Sequence, residues 1–499
     1  MKKLQENILE IIKDQGLEQY QKIISLAREA ENSLEVLGLN DKEKKYLDKG
    51  IICDLAEGNA PFKPRYNLVD FEKFLNEGSE FLELDPPQNL SEAINNLLIL
   101  YKHIPSVTTF PVYLGNIDQL LDPYIENEKE ALSLIKLFLT HIDRTLTDSF
   151  VHANIGPEDT KAGRLILKAE RELKNPIPNL TLKYNQKLTS DDIAIEAVKT
   201  GLATSKPYFA NHELFVGDYG ENYGIASCYN GLPIGGGSFT LVRLNLKALA
   251  ETSNTKKEFL QDKLPEAVEV MSSIMDKRIR FIVEESGFFS SNFLVKEELL
   301  NLDRYTAMFG IYGMAEAVNH LMNNIESGAS YGKDEKADEL GVEIVDNIEK
   351  EVNDHHNKYC KVSNDKFLLH AQSGIGSDQD TTPGCRIPIG DEPAMYEHIL
   401  HASQFHKYFP TGVSDIFAFD STNKTNPEAV LDIIKGAIDS GLRMFAFYTA
   451  DSEMVRITGY LVKRSEMEKL KNGESVLRDT TALGLETMET QSLDDRKVR

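Results

Sequence analysis

The chain has 499 residues, 41% of them hydrophobic and 27% charged, and its 55 Lys and Arg against 79 Asp and Glu give a formal net charge of -24. That balance is ordinary for a globular protein. It argues against a nucleic-acid backbone as partner, which calls for basic patches, and still allows a small anionic substrate in a local basic pocket. No apolar run reaches the ~18 residues of a membrane span.

The first segment, MKKLQENILEIIKDQG, is charged and lacks the uninterrupted apolar stretch of a signal peptide. Leu4, Ile8, Ile11 and Ile12 share one face of an amphipathic helix. Residues 1–104 read as a helical, acidic region, with DPPQNL at 85–90 as a turn and helix start. From residue 105 short apolar runs such as SVTTFPVYLG (106–115) alternate with helical stretches. ENEKEALSLIKLFLTHIDRTL (126–146) and residues 255–286 are the clearest helices, the second with a predicted interruption near Pro265. NYGIASCYNG and GSFTLVRLNL read as strands around a glycine-rich loop, and KFLLHAQSGIG and DIFAFDS as further strands. Strands alternating with helices predict an α/β core with much parallel pairing over residues 105–450. Residues 451–499 carry an apolar run, VRITGYLVK, and a polar tail after 466 that is expected to be a surface cover or disordered.

Four cysteines, Cys53, Cys228, Cys360 and Cys385, lie far apart with no CxxC, so neither a zinc ribbon nor a thioredoxin-type motif is present. Free thiols in a cytoplasmic protein are the expectation. Gly459 interrupts the apolar run Arg456-Ile457-Thr458-Gly459-Tyr460, where a strand glycine costs stability. A bulge is the ordinary explanation. A close backbone approach is another, and chemistry is the third: a Cα radical is delocalised by its flanking amide and carbonyl only if the backbone is planar and unhindered. Cys228 ends one strand-like run before Gly235-Gly236-Gly237, and a thiol S–H exchanges hydrogen reversibly with such a radical. A buried cysteine is otherwise a small hydrophobe. The triple glycine lacks the lysine and spacing of a phosphate loop. The loop at 373–393, dense in Gly, Pro, Asp and Thr, places Asp378, Asp380, Cys385 and Arg386 as candidate substrate contacts, and the adjacent cation is expected to favour a Cys385 thiolate. His370, His212 and Glu213 are candidate proton-transfer groups with structural roles favoured. Asp354-His355-His356 reads as a solvated face rather than a metal site, and Cys53 and Cys360 as structural thiols.

The RITGY motif resembles the radical loop of glycyl radical enzymes, and CYNGLPIGGGSFTLVRLN together with the length resembles the YjjI type among them. TAMFGIYGMAEAV (306–318) and residues 408–449 resemble segments of anaerobic ribonucleotide reductases, so the likeness spans about residues 105–465 in order. The resemblance implies a ten-stranded β/α barrel of two five-stranded parallel halves, with the cysteine and glycine loops meeting inside. It further implies a radical on Gly459, a transient thiyl on Cys228 that abstracts hydrogen from a small-molecule substrate, and no cofactor bound by this chain. Activation in trans by an S-adenosylmethionine/iron–sulfur activase, a homodimer and an anaerobic, oxygen-sensitive cytoplasmic setting are implied with it. Ribonucleotide reduction is the alternative, against which stand the chain length, the missing C-terminal zinc cysteines and a first barrel strand without cysteine. Pyruvate cleavage is disfavoured because Cys228 is followed by Tyr229. A radical-bearing or ligand-binding protein without turnover is the last alternative.

Overall fold

The short apolar runs become strands where both of their faces can be buried, as parallel sheets require. The computed structural model describes residues 2–55, 57–106, 111–323, 328–371, 381–490 and 493–499. Its strands are β1 (Ile52–Cys53), β2 (Tyr66–Leu68), β3 (Tyr113–Asn116), β4 (His152–Ile155), β5 (Asn179–Tyr184), β6 (Tyr208–Asn211), β7 (Tyr223–Ala226) and β8 (Asn230–Pro233). They continue with β9 (Gly236–Asn245), β10 (Tyr305–Tyr312), β11 (Leu368–Ala371), β12 (Asp415–Phe419), β13 (Met444–Thr449), β14 (Met454–Arg456) and β15 (Leu461–Lys463). A six-stranded sheet runs β12-β13-β6-β5-β4-β3. In it β3 to β6 are mutually parallel, and the parallel pair β12–β13 joins β6 antiparallel. A five-stranded sheet runs β1-β9-β10-β11 with β2 also on β9; β9, β10 and β11 are parallel, whereas β1 and β2 run against β9. Among the described residues the two ladders do not close on each other through strand pairing. Helices such as Glu128–Thr145, Lys161–Leu173 and Asp191–Thr204 make the crossovers.

The strands sort their side chains with period 2, as the pleat demands. Phe417, Phe419, Phe445, Phe447 and Phe209 enter one large outer core with the helices. Their neighbours Ile416, Ala418, Met444, Ala446, Tyr448, Tyr208 and Ala210 face the other way, into a second, inner cluster. That inner cluster holds Cys228 and Tyr229 from one hairpin and Val455, Ile457 and Tyr460 from another. The inward positions of β4 and β5 are instead polar: His152, Asn154, Asn179, Thr181 and Lys183, all buried.

Three local expectations change. At Pro265 the helix does not break; a π-turn at Phe259–Lys263 precedes Leu264–Arg280, a wider turn that accommodates the missing N–H of proline. Gly459 is not inside a strand, because β14 and β15 pair antiparallel and Ile457–Tyr460 form the loop between them. The tail is folded: helices Arg464–Lys471 and Thr481–Thr490 pack down, with Met467 and Leu493 in the inner cluster. Its other buried residues include Val476, Arg478, Thr480, Thr481, Thr487 and Arg496, mostly polar, so no continuous apolar pattern announced it.

Candidate active site

Hairpin β7–β8 enters the inner cluster and turns at Ser227, Cys228 and Tyr229, between the paired Ala226 and Asn230. Ser227 takes a left-handed φ of 57°, which costs a non-glycine residue on the order of 1–3 kcal/mol and is held only by its surroundings. Those surroundings are the polar faces of β4 and β5. His152 donates from Nδ1 to the Ser227 carbonyl, while its Nε2 lies 2.7 Å from the Thr181 hydroxyl. The Asn154 amide substitutes for a missing strand: Nδ2 donates to the Ile225 carbonyl and Oδ1 accepts the Ile225 N–H, both at 2.8 Å. The Lys183 amine donates to the Tyr223 carbonyl at 2.7 Å. Burial brings the His152 pKa down to about 3, so the ring is neutral and can donate from one nitrogen and accept at the other.

The glycine loop approaches this turn from β14 and β15. Gly459 does not occupy the left-handed region, so turn geometry does not require glycine. Space does. A Cβ at position 459 would overlap the Cβ and Cα of Cys228, with no side chain between them. The Asn179 amide donates to the Gly459 carbonyl. Arg456 lies fully buried, donates to the Ser205 carbonyl and stacks 4.8 Å from the Tyr208 ring centre. Tyr460 packs 4.8 Å from the Phe150 ring. Close approach is therefore what excludes every residue but glycine here, and the neighbour it approaches is the thiol-bearing one.

Burial pushes the Cys228 thiol up, against the hydroxyls of Ser227 and Thr458 and the Gly459 N–H that favour thiolate. The group is thus S–H at neutral pH, the form that can give or take a hydrogen atom. On the far side of the turn, Arg386 donates to the Ser414 carbonyl at 2.7 Å and to the Tyr229 hydroxyl at 2.9 Å. His370 stacks on Tyr229 with ring centres 6.2 Å apart and is kept neutral by burial, its pKa brought down to about 3.

The other candidates separate. Cys385 packs in the outer core, its carbonyl accepting from the Tyr331 hydroxyl at 2.7 Å. Burial raises its thiol well above the usual range, with Asp415 adding to the effect. The expected thiolate is corrected: the chain turns at Pro383–Arg386, with the Arg386 N–H donating to the Pro383 carbonyl, and the Arg386 side chain is taken up by Ser414 and Tyr229. Asp378 and Asp380 lie outside the described residues. His212 bonds the Tyr223 hydroxyl at 2.9 Å and Glu213 accepts from Asn185 at 3.3 Å, both at the base of the cysteine hairpin. His355 caps a helix end beside Asp276, Cys53 bonds the Tyr312 hydroxyl at 2.9 Å, and Cys360 is in the outer core. Among the described residues no group of His, Cys, Asp and Glu is arranged to hold a metal. Sequence reading missed His152, Asn154, Asn179 and Lys183. Their signal was the alternation in HANI and NLTLKY, polar residues on one face of strands otherwise built for a core.

The overall fold is shared with known structures. The anaerobic ribonucleotide reductase of Thermotoga maritima in complex with dATP and CTP matches with a TM-score of 0.67 at 14% identity, over 94% of this chain and 89% of that one. A glycyl radical enzyme from Archaeoglobus fulgidus matches with a TM-score of 0.60 at 13% identity, over 83% and 68%. At those identities the likeness is one of fold: a mixed α/β fold of the glycyl radical enzyme kind. Sequence narrows it. An uncharacterized protein of Haemophilus influenzae is 45% identical over 99% of this chain and 97% of its own length. The model of the glycyl radical enzyme YjjI-like family matches residues 17–499, and the chain belongs to that family.

Proposed function

We propose that this protein is a catalytic glycyl radical enzyme acting on a small molecule, with the radical stored on Gly459 and Cys228 as hydrogen abstractor. The observation that carries this is the direct contact of Gly459 Cα with the Cys228 side chain. The radical at Cα takes the hydrogen atom of the Cys228 S–H, restoring glycine and leaving a thiyl. The thiyl takes a hydrogen atom from substrate, and the two transfers reverse when the substrate-derived radical has rearranged. Each step moves one hydrogen atom, so no proton or electron is left over. Asn179 holds the Gly459 carbonyl, and the β4–β5 side chains hold the cysteine turn. Arg386 and Tyr229, beside the thiol, would receive a polar or anionic part of the substrate, and Asp378 and Asp380 would extend that contact. The burial that keeps the thiol protonated also excludes the water and oxygen that would quench a radical.

The surrounding frame is read as a ten-stranded barrel of β2 to β6 and β9 to β13. The antiparallel joins of β2 to β9 and β6 to β13 support this, as does the Ala371 N–H donated to the Gly412 carbonyl, 3.1 Å away, just before β12. The radical would be installed by a radical S-adenosylmethionine activase, and the working form would be a cytoplasmic homodimer. The test is electron paramagnetic resonance after anaerobic co-expression with the activase. A glycyl doublet in wild type that is absent in Gly459→Ala supports the assignment. No doublet where a reference glycyl enzyme activates would remove it. Turnover of a ribonucleotide by the activated protein would replace the open substrate with ribonucleotide reduction.

A further inference from the structure

A cavity of about 410 Å³ opens at the base of the cysteine hairpin, against Tyr113, Lys183, Phe71 and the Glu221–Asn222 segment. The hairpin rises about 3.3 Å per residue, so this base lies more than about 10 Å from Cys228, beyond hydrogen-abstraction reach. Its volume suits a small metabolite. Its polar groups are layered. At the deep end lie two donors: the Tyr113 hydroxyl, on a residue 1% exposed and without a partner among the described residues, and the buried Lys183 amine. Lys183 spends one hydrogen on the Tyr223 carbonyl and lies 4.2 Å above that ring. At the mouth stand acids: Glu221, whose side chain is 80% exposed, with Asp70 and Glu72. A simple anion entering would pass three carboxylates, and a simple cation would end against an amine. A molecule with an acceptor at its inner end and a cation at its outer end satisfies both layers.

We infer that this cavity is a second binding site, separate from the radical pair, for a small amino-acid-like zwitterion with its carboxylate toward Tyr113 and Lys183 and its ammonium toward Glu221 and Asp70. The aromatic rings of Phe71 and Tyr113, 5.9 Å apart, line the path between the two ends. Protonation adds a signature. Burial brings Lys183 down to about 7, against the opposing pull of Asp118, Glu158 and Glu221. A carboxylate placed beside it favours the ammonium form, so binding takes up protons at mildly alkaline pH. Buried Asp118, raised to about 7, and His212 are the other titrating groups near Lys183.

The test is saturation-transfer NMR of the full chain against the standard amino acids. The strongest binder is then compared with its own amine and its own deaminated acid, and calorimetry in buffers of different ionisation enthalpy counts protons. The expected result is one or more amino acids bound at millimolar concentration or tighter, at least ~10-fold better than either half molecule, with proton uptake near pH 8. Tyr113→Phe and Glu221→Gln should each weaken binding by roughly 5- to 30-fold with thermal midpoints unchanged. No binding by any amino acid, equal binding of a half molecule, absent proton uptake or indifference to both variants would each overturn the inference. None of these readouts depends on a radical at Gly459, so failure here leaves the proposed function standing.

Discussion

The two hairpins that meet in the inner cluster are held by opposite means. The cysteine hairpin is braced along its length by directional bonds from rigid strands: His152 to Ser227, Asn154 twice to Ile225, and Lys183 to Tyr223. The glycine hairpin has fewer bonds from the sheet strands, Asn179 on its Gly459 carbonyl, with Arg456 and Met454 tied to Ser205, and for the rest it mainly packs apolar residues beneath a helical tail. Directional bonds fix a position, whereas apolar packing fills a space and can be emptied as a unit. The thiol is thus the more firmly fixed of the two, and, under the proposed function, the glycine is the one an activase would reach.

The sharpest break in that comparison is Gly459→Ala. The added Cβ has no room beside Cys228, and forced overpacking costs about 1–3 kcal/mol even where neighbours yield. The expected outcome is complete loss of the glycyl doublet and of turnover, with a lowered thermal midpoint. Cys228→Ala should also abolish turnover while leaving the doublet at wild-type intensity, because the Asn179 and Arg456 bonds that hold the glycine hairpin are untouched. Surviving turnover in that variant would take Cys228 out of the role of hydrogen abstractor.

Asn154→Ala is next. It leaves the Ile225 N–H and C=O unpaired in a buried strand, a loss of about 2–5 kcal/mol. Activation should proceed, since Gly459 is untouched, but turnover should fall at least ~10-fold as the thiol loses its alignment. Denaturant midpoints and turnover of the activated protein report the two effects separately.

Acid should act on the same braces. His152 and His370 both titrate near 3 when folded against 6.5 when free. Their folded values are depressed, so the unfolded chain binds protons that the native state refuses. Their contribution is complete above about pH 6.5 and is lost as the pH falls toward 3. Urea midpoints should drop between about pH 7 and about pH 5. The drop should shrink in His152→Asn, whose amide can donate to Ser227 without titrating.

How much of this was legible beforehand follows from which forces are local. Glu128–Thr145 and the strands around Cys228 showed themselves through apolar period and flanking glycines, and RITGY singled out the glycine that the fold brings against Cys228. The pairing of β14 with β15 was not visible, because an apolar run with a central glycine reads alike as one strand or two. The tail helices were hidden because their few apolar anchors, Met467 and Leu493, are far apart and much of the rest is polar: Arg478, between the helices, lies between Asp143 and Glu466, a partner set more than 300 positions apart on one side. The roles of Asn154 and Asn179 depend on what crosses the strands in three dimensions, which no local pattern states.

The smallest effect is expected at the edge of the tail. The Asp479 carboxylate accepts from the Gln21 amide at 2.7 Å and from the Tyr20 hydroxyl at 3.0 Å, tying the segment after helix Arg464–Lys471 to helix Gln19–Asn32. Two such bonds contribute about 0.5–1.5 kcal/mol each. Asp479→Ala should therefore shift opening of the tail, and the glycine hairpin beneath it, by about 5- to 150-fold, with little change in global stability. Amide exchange should speed up over residues 454–490 and stay unchanged over β7 and β8. Activation by the partner should be faster in the same variant, and oxygen should quench the radical sooner. If instead both hairpins exchange together, the inner cluster opens as one body and the contrast between a fixed thiol and a releasable glycine is wrong.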